Sequence, residues 1–188
     1  VVYIKQQQVR LPSQLLEYLA LQTPEYSVWI DGLEYARIYK LDEDLFSVPT
    51  YEQVDALFGQ TICLEGYDLP AHEFSPGEVV SFDLSWRVVL VPGERLKIFG
   101  HLLNAEGARV AQREVEPVGG FEPTDRWLPD EQIEDDYGVF LPADLPPGLY
   151  TLKLGMYRFS GERLLIQDQG GEVVGDALTL GTIEVGPE

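Results

Sequence analysis

From residue 60 onward the hydrophobic positions recur with a period of two. The clearest case is Glu78 to Val91, where Val80, Phe82, Leu84, Trp86 and Val88 fall on one face, as a strand with one buried side requires. Comparable runs cover Thr61–Tyr67, Arg95–Leu103, Ala108–Val115, Ile133–Leu141, Leu149–Phe159, Leu164–Asp168 and Ala177–Val185. Turn residues separate them: Ser75-Pro76-Gly77, Pro92-Gly93, Asn104 to Gly107, Pro146-Pro147-Gly148, Ser160-Gly161 and Gly170-Gly171. About eight strands at this spacing, with no convincing amphipathic helix among them, predict a mainly β chain. The expected architecture over 59–188 is an antiparallel two-sheet β-sandwich of jelly-roll or immunoglobulin-like kind.

The first 41 residues read differently, as a small α/β element of strand, helix and hairpin. Val1 to Ile4 is extended, Pro12 and Ser13 can open a short helix over Gln14–Ala20, and Thr23-Pro24 closes it. Asp31-Gly32 then sits between the β-prone runs Tyr26–Ile30 and Leu33–Tyr39, a strong hairpin signal because a type I′ turn needs positive φ at both central residues. The stretch 42–58, with Asp42-Glu43-Asp44 and Pro49, reads as a connector with room for a short helical turn.

Charge narrows the partners. Thirty-two acidic residues against 13 basic ones give a net charge of −19 over 188 residues, which repels phosphate backbones and anionic lipid heads and argues against nucleic acid as a partner. No apolar run approaches the roughly 18–20 residues of a membrane-spanning helix, so the chain as given is expected to be soluble. Cys63 is the only cysteine, which leaves no internal disulfide and no thiolate zinc site; between Ile62 and Leu64 it reads as a small core or strand-face residue, with a catalytic thiol as the alternative. The chain opens on Val1 directly into a strand-like run, the expected appearance of a cut inside a longer protein, although processing gives the same end.

Chemical signatures are sparse. There is no Gly-rich phosphate loop followed by Lys, no nucleophile elbow and no histidine pair at metal spacing, so no catalytic residue is assigned. Paired carboxylates carry no information where 32 acids guarantee some pairs. His101 shares a strand face with Phe99 and Leu103, and reads either as a partly buried histidine bonded within the sandwich or as a catalytic base or ligand-binding donor; His72 reads as exposed in its loop. Trp127 stands in the proline-rich loop Phe121–Pro129 and is either a loop anchor or part of a ligand platform, and Tyr137 and Tyr157 share that ambiguity. His101, Trp127 and Tyr137 are the candidate ligand-binding set. Asp130, Glu134, Asp135 and Asp136 belong to the densest acidic run, which reads as a solvated loop or as the oxygens of a calcium site, without the register of an EF-hand. Calcium is the one candidate cofactor.

Two stretches carry a resemblance. The hairpin ending Ile30-Asp31-Gly32-Leu33-Glu34-Tyr35-Ala36-Arg37-Ile38-Tyr39 resembles the segment after the last membrane helix of bacterial glycosyltransferases similar to protein mannosyltransferases. Phe99 to Leu103, Ala111-Gln112, Pro117 to Gly120, Pro123-Thr124, Trp127, Pro147 to Tyr150 and Gly155 through Leu164 resemble the β-sandwich that follows it. One departure is Arg113-Glu114, where that pattern has an aspartate after the glutamine. The resemblance implies a multi-spanning parent enzyme that uses a polyprenyl-phosphate sugar, with its catalytic acids in the membrane region and none in this chain. It further implies an accessory domain on the extracytoplasmic face of a bacterial membrane, with the membrane-embedded portion of its own chain and a glycan as partners. The alternatives are an independent exported sandwich that binds protein or carbohydrate, and a hydrolase whose acids lie hidden among the 32.

Overall fold

The computed structural model describes residues 2–4, 24–30, 33–39 and 51–187. The chain divides into two compact units, Val1–Val48 and Pro49–Glu188. In the first, β1 (Val2–Ile4), β2 (Tyr26–Ile30) and β3 (Leu33–Ile38) form an antiparallel sheet in the order β1-β3-β2. Ile30 stands opposite Leu33, so the two runs flanking Asp31-Gly32 pair as a hairpin. The helix expected over Gln14–Ala20 and the connector as far as residue 50 lie outside the described residues.

The second unit is a β-sandwich. Its strands are β4 (Glu52–Phe58), β5 (Ile62–Asp68), β6 (Glu73–Phe74), β7 (Val79–Val88), β8 (Leu96–Leu103), β9 (Arg109–Val115), β10 (Gln132–Phe140), β11 (Gly148–Arg158), β12 (Ile166–Gln167), β13 (Val173–Gly175) and β14 (Leu178–Val185). One sheet runs β10-β7-β5-β4-β12-β13 and the other β6-β14-β11-β8-β9, with every pairing antiparallel except β14 with β6. The stretch 52–58, expected to be connector, is therefore a central strand of the six-stranded sheet. Its period is broken by a bulge between Gln53 and Ala56, where Asp55 takes φ 51°, and the alternation that betrays a strand is lost there.

The core lies between the sheets. Val80, Phe82, Leu84, Trp86 and Val88 are all buried, as their phase on β7 predicts, and meet Ile98, Leu102, Leu152 and Met156 of the opposing sheet within one cluster. Phe58 and Trp86 pack edge to face with centroids 5.4 Å apart. Full burial of each such side chain contributes about 1.5–3 kcal/mol, so this layer dominates the stability. Two glycines let aromatic rings cross strands. A Cβ on Gly100 would lie 3.0 Å from Tyr137 Cε1, and one on Gly155 only 2.1 Å from Phe99 Cζ.

Candidate functional site

The outward row of the five-stranded sheet is built by register. On β8 the outward residues are Phe99, His101 and Leu103; β9 sets Glu114 opposite Phe99 and Gln112 opposite His101, and β11 sets Gly155 and Lys153 opposite the same two. With no side chain at Gly155, the Phe99 ring lies down over that strand, and the His101 ring packs beside it with centroids 4.4 Å apart. The chain then leaves β11, adds β12 and β13 to the other sheet, and returns to β14. The two ends of that excursion border the row: Arg163 sits 4.6 Å over the Phe99 ring and reaches Asp176 at 3.3 Å. The result is a concavity of about 520 Å³ with Phe99 and His101 in its floor and Arg109, Lys153, Arg163 and Asp176 around it.

Glu114 organises one side of this concavity. Its Oε1 lies 3.1 Å from His101 Nε2 and 3.7 Å from Arg109 Nη1, and its Oε2 accepts a hydrogen bond from the Tyr157 hydroxyl at 3.0 Å. The bond to His101, followed by that of Tyr157, lowers the Glu114 carboxyl below its ordinary value. Burial outweighs the carboxylate beside it and holds His101 below the usual histidine value, with Arg109 acting in the same direction; the ring is thus neutral near pH 7. Burial and Glu114 together push Tyr157 up to about 12, so it remains a donor. Lys153 donates to Thr179 Oγ1 at 2.7 Å, and among the described residues it has no carboxylate partner.

The expected ligand set is not assembled. Trp127 is 2% exposed, belongs to the core cluster, and donates from Nε1 to Glu122 O at 2.9 Å just after the 3₁₀ turn Thr124–Arg126. It anchors its loop and offers no ring face to a ligand. Tyr137 is equally interior: its hydroxyl donates to Ile98 O and Arg113 O, at 3.1 and 2.8 Å, and so ties β10 at the edge of one sheet to β8 and β9 of the other. Its ring packs against Phe82 at 5.3 Å. Only His101 borders the concavity. The residues around it that sequence reasoning missed, Arg109, Glu114, Lys153, Arg163 and Asp176, come together through strand register and the β12–β13 excursion. No local pattern announces either one.

The expected calcium ligands are separated by the pleat. Asp130 sits in a turn at φ 64°, Glu134 and Asp136 point outward from β10, and Asp135 points inward with 1% exposure. Asp135 Oδ1 accepts the Val118 N–H at 3.0 Å while Oδ2 is buried without a partner, and burial pushes its carboxyl up to about 7. Glu134 accepts from Ser85 Oγ at 3.0 Å and from the Tyr51 hydroxyl. Asp136 faces Asp83, whose carboxyl burial, followed by a hydrogen bond to Asp136, raises to about 6. Among the described residues no three His, Cys, Asp or Glu side chains form a group able to hold a metal ion.

No protein-family model matches this chain, and no curated protein matches it. Among solved structures it is similar to a CARDB domain from Pyrococcus furiosus in complex with di-metal ions, at 14% identity and a TM-score of 0.34, over 78% of this chain and 100% of that one. It is also similar to a β-glucosidase from Listeria innocua in complex with gluconolactone, at 12% identity and a TM-score of 0.33, over 98% of this chain and 21% of that one.

Proposed function

We propose that this chain is a non-catalytic accessory domain of a bacterial membrane glycosyltransferase similar to protein mannosyltransferases, exposed on the extracytoplasmic face, and that it binds carbohydrate in the concavity around His101. The observation that carries the binding reading is the concavity itself, a recess of about 520 Å³ rimmed by side chains that donate and accept hydrogen bonds. Sugar hydroxyls are recognised by such groups when they are held in place before the ligand arrives. Here Glu114 is fixed by three partners and Arg163 by Asp176 and the Phe99 ring. The parentage rests on the sequence resemblance, and an open reading frame with roughly ten membrane spans upstream of Val1 is its test. The binding reading is tested by a glycan array probed with the wild-type chain and with Arg163→Ala. Retention of a glycan by the wild type and its loss in the variant supports the site. No retained glycan, or retention untouched by the substitution, removes it.

A further inference from the structure

Charge in the concavity runs against charge in the chain. The whole protein carries −19, with 13 basic residues against 32 acidic ones. The recess nevertheless gathers Arg109, Lys153 and Arg163 against Glu114 and Asp176, with His101 neutral at its floor. Both guanidinium groups have a carboxylate partner and Lys153 has only the neutral Thr179 hydroxyl, which leaves one positive charge in surplus.

Resting on the carbohydrate reading above, we infer that the ligand is an acidic sugar, bound with its carboxylate against Lys153 between Arg109 and Arg163. A singly charged oxyanion balances the surplus. A doubly charged phosphate monoester would set a second negative charge beside Glu114 and Asp176. Guanidinium forks and an ammonium suit carboxylate oxygens in geometry as well as in charge. The negative charge elsewhere on the chain does not prevent this, because at physiological ionic strength its field is screened beyond about 8 Å, whereas contacts inside the recess are screened far less.

The test is a calorimetric titration of the full chain with matched methyl glycosides, each hexose beside its hexuronic acid in gluco, galacto and manno configuration, with methyl-phosphodiester hexoses as a further arm. At least one uronic acid should bind tenfold or more tightly than its neutral partner. Lys153→Gln should abolish that preference while leaving the urea unfolding midpoint unchanged, since Lys153 lies on the outward face and its hydroxyl partner Thr179 is solvent-facing. Equal binding of each pair overturns the acidic-sugar inference and leaves the carbohydrate reading standing. A tenfold preference for the phosphodiesters over the uronic acids overturns the carboxylate in favour of phosphate. Persistence of the acid preference in Lys153→Gln overturns the role of that residue. Failure of every sugar to bind removes the carbohydrate reading and this inference with it.

Discussion

The two outer faces of the sandwich carry charge in opposite ways. On the six-stranded sheet, Asp68, Asp83 and Asp136 stand in one row across β5, β7 and β10, with Glu134 one step along β10. On the five-stranded face, charges of both signs meet in pairs: Arg109 with Glu114, which also bonds the neutral His101, and Arg163 with Asp176. Both are outward rows of one pleated scaffold. Like charges directly opposite each other destabilise a sheet, and opposite charges support it. The acidic row carries that cost at Asp83, whose carboxyl is raised to about 6 by burial and by Asp136 beside it. The mixed row instead fixes its side chains in place and leaves a recess between them, which is where the proposed binding site lies.

The largest expected effect comes from breaking the mixed face at its base. Gly155→Val places a Cβ 2.1 Å from Phe99 Cζ and 2.8 Å from the Asp176 carbonyl, so the Phe99 ring must lift and carry the Arg163 overhang with it. A loss of about 3 kcal/mol is expected, at the upper end of ordinary overpacking, together with loss of any ligand affinity in the recess. Urea unfolding measures the first and calorimetry the second. A variant as stable as wild type would show that the floor of the recess is not held by that close approach.

Next in size is Asp135→Asn, which separates the buried carboxyl of β10 from its outward neighbours. A carboxyl raised from 3.8 to about 7 binds its proton more tightly in the folded state, so its penalty is absent below about pH 4, grows as pH rises, and is complete above pH 7. Asparagine keeps an oxygen for the Val118 N–H, whose residue holds φ 51°, unusual for a β-branched side chain, and brings no charge. The variant should therefore be more stable than wild type by about 2 kcal/mol at pH 8 and equal to it at pH 3.5. Urea midpoints at the two pH values decide it. A loss of stability at pH 8 would mean that the ionised form is the one the interior holds.

How far these features could be read from the chain depends on whether local phase or distant pairing sets them. The alternation on β7 is undisturbed, and its five inward residues are legible at once. In β10 the phase Ile133, Asp135, Tyr137, Val139 places Asp135 inside, but weighing the acidic run by its composition alone hid that placement and suggested calcium. β4 was illegible because Asp55 adds a residue to the bulge and shifts the phase partway along the strand. Trp127 could not be placed from its loop, since the proline-rich sequence fits an anchor as well as a platform. Of the recess, only the Phe99-His101-Leu103 row has a local signature. Lys153 reaches it across β11, Glu114 across β9, and Arg163 through an excursion that serves the other sheet.

A smaller effect tests the acidic face directly. Asp83 is raised from 3.8 to about 6, so its cost to the folded state sets in above about pH 4 and is complete a little above pH 6. Asp83→Asn removes one of the two facing charges. Because the pair lies on a partly solvated face, the expected gain is only about 1 kcal/mol at pH 7.5, falling to nothing at pH 3.5. Thermal unfolding across this range resolves it. A flat difference across pH would show that the row is already neutralised by some other means.

The smallest change probes the mixed face through the same variable and carries the opposite sign. A carboxyl held below its ordinary 4.5, as Glu114 is, stabilises the fold above that value and loses its contribution as pH falls through its folded value. His101, held below 6.5 by burial, acts in the same direction: the unfolded chain gains the proton first, so stability declines as pH drops below about 6.5. Glu114→Gln should accordingly destabilise by less than about 1 kcal/mol at pH 7, and by progressively less as pH falls below 4.5 through the folded value, since the carboxylate is partly exposed and its ion pair is screened. The imidazole should respond as well. With no carboxylate to favour its proton, while burial and Arg109 still oppose it, His101 should titrate at a lower pH in the variant, which its proton resonances report. An unchanged His101 titration would mean that Glu114 does not govern the ring, and the two outer faces would then differ in charge without differing in how tightly their side chains are held.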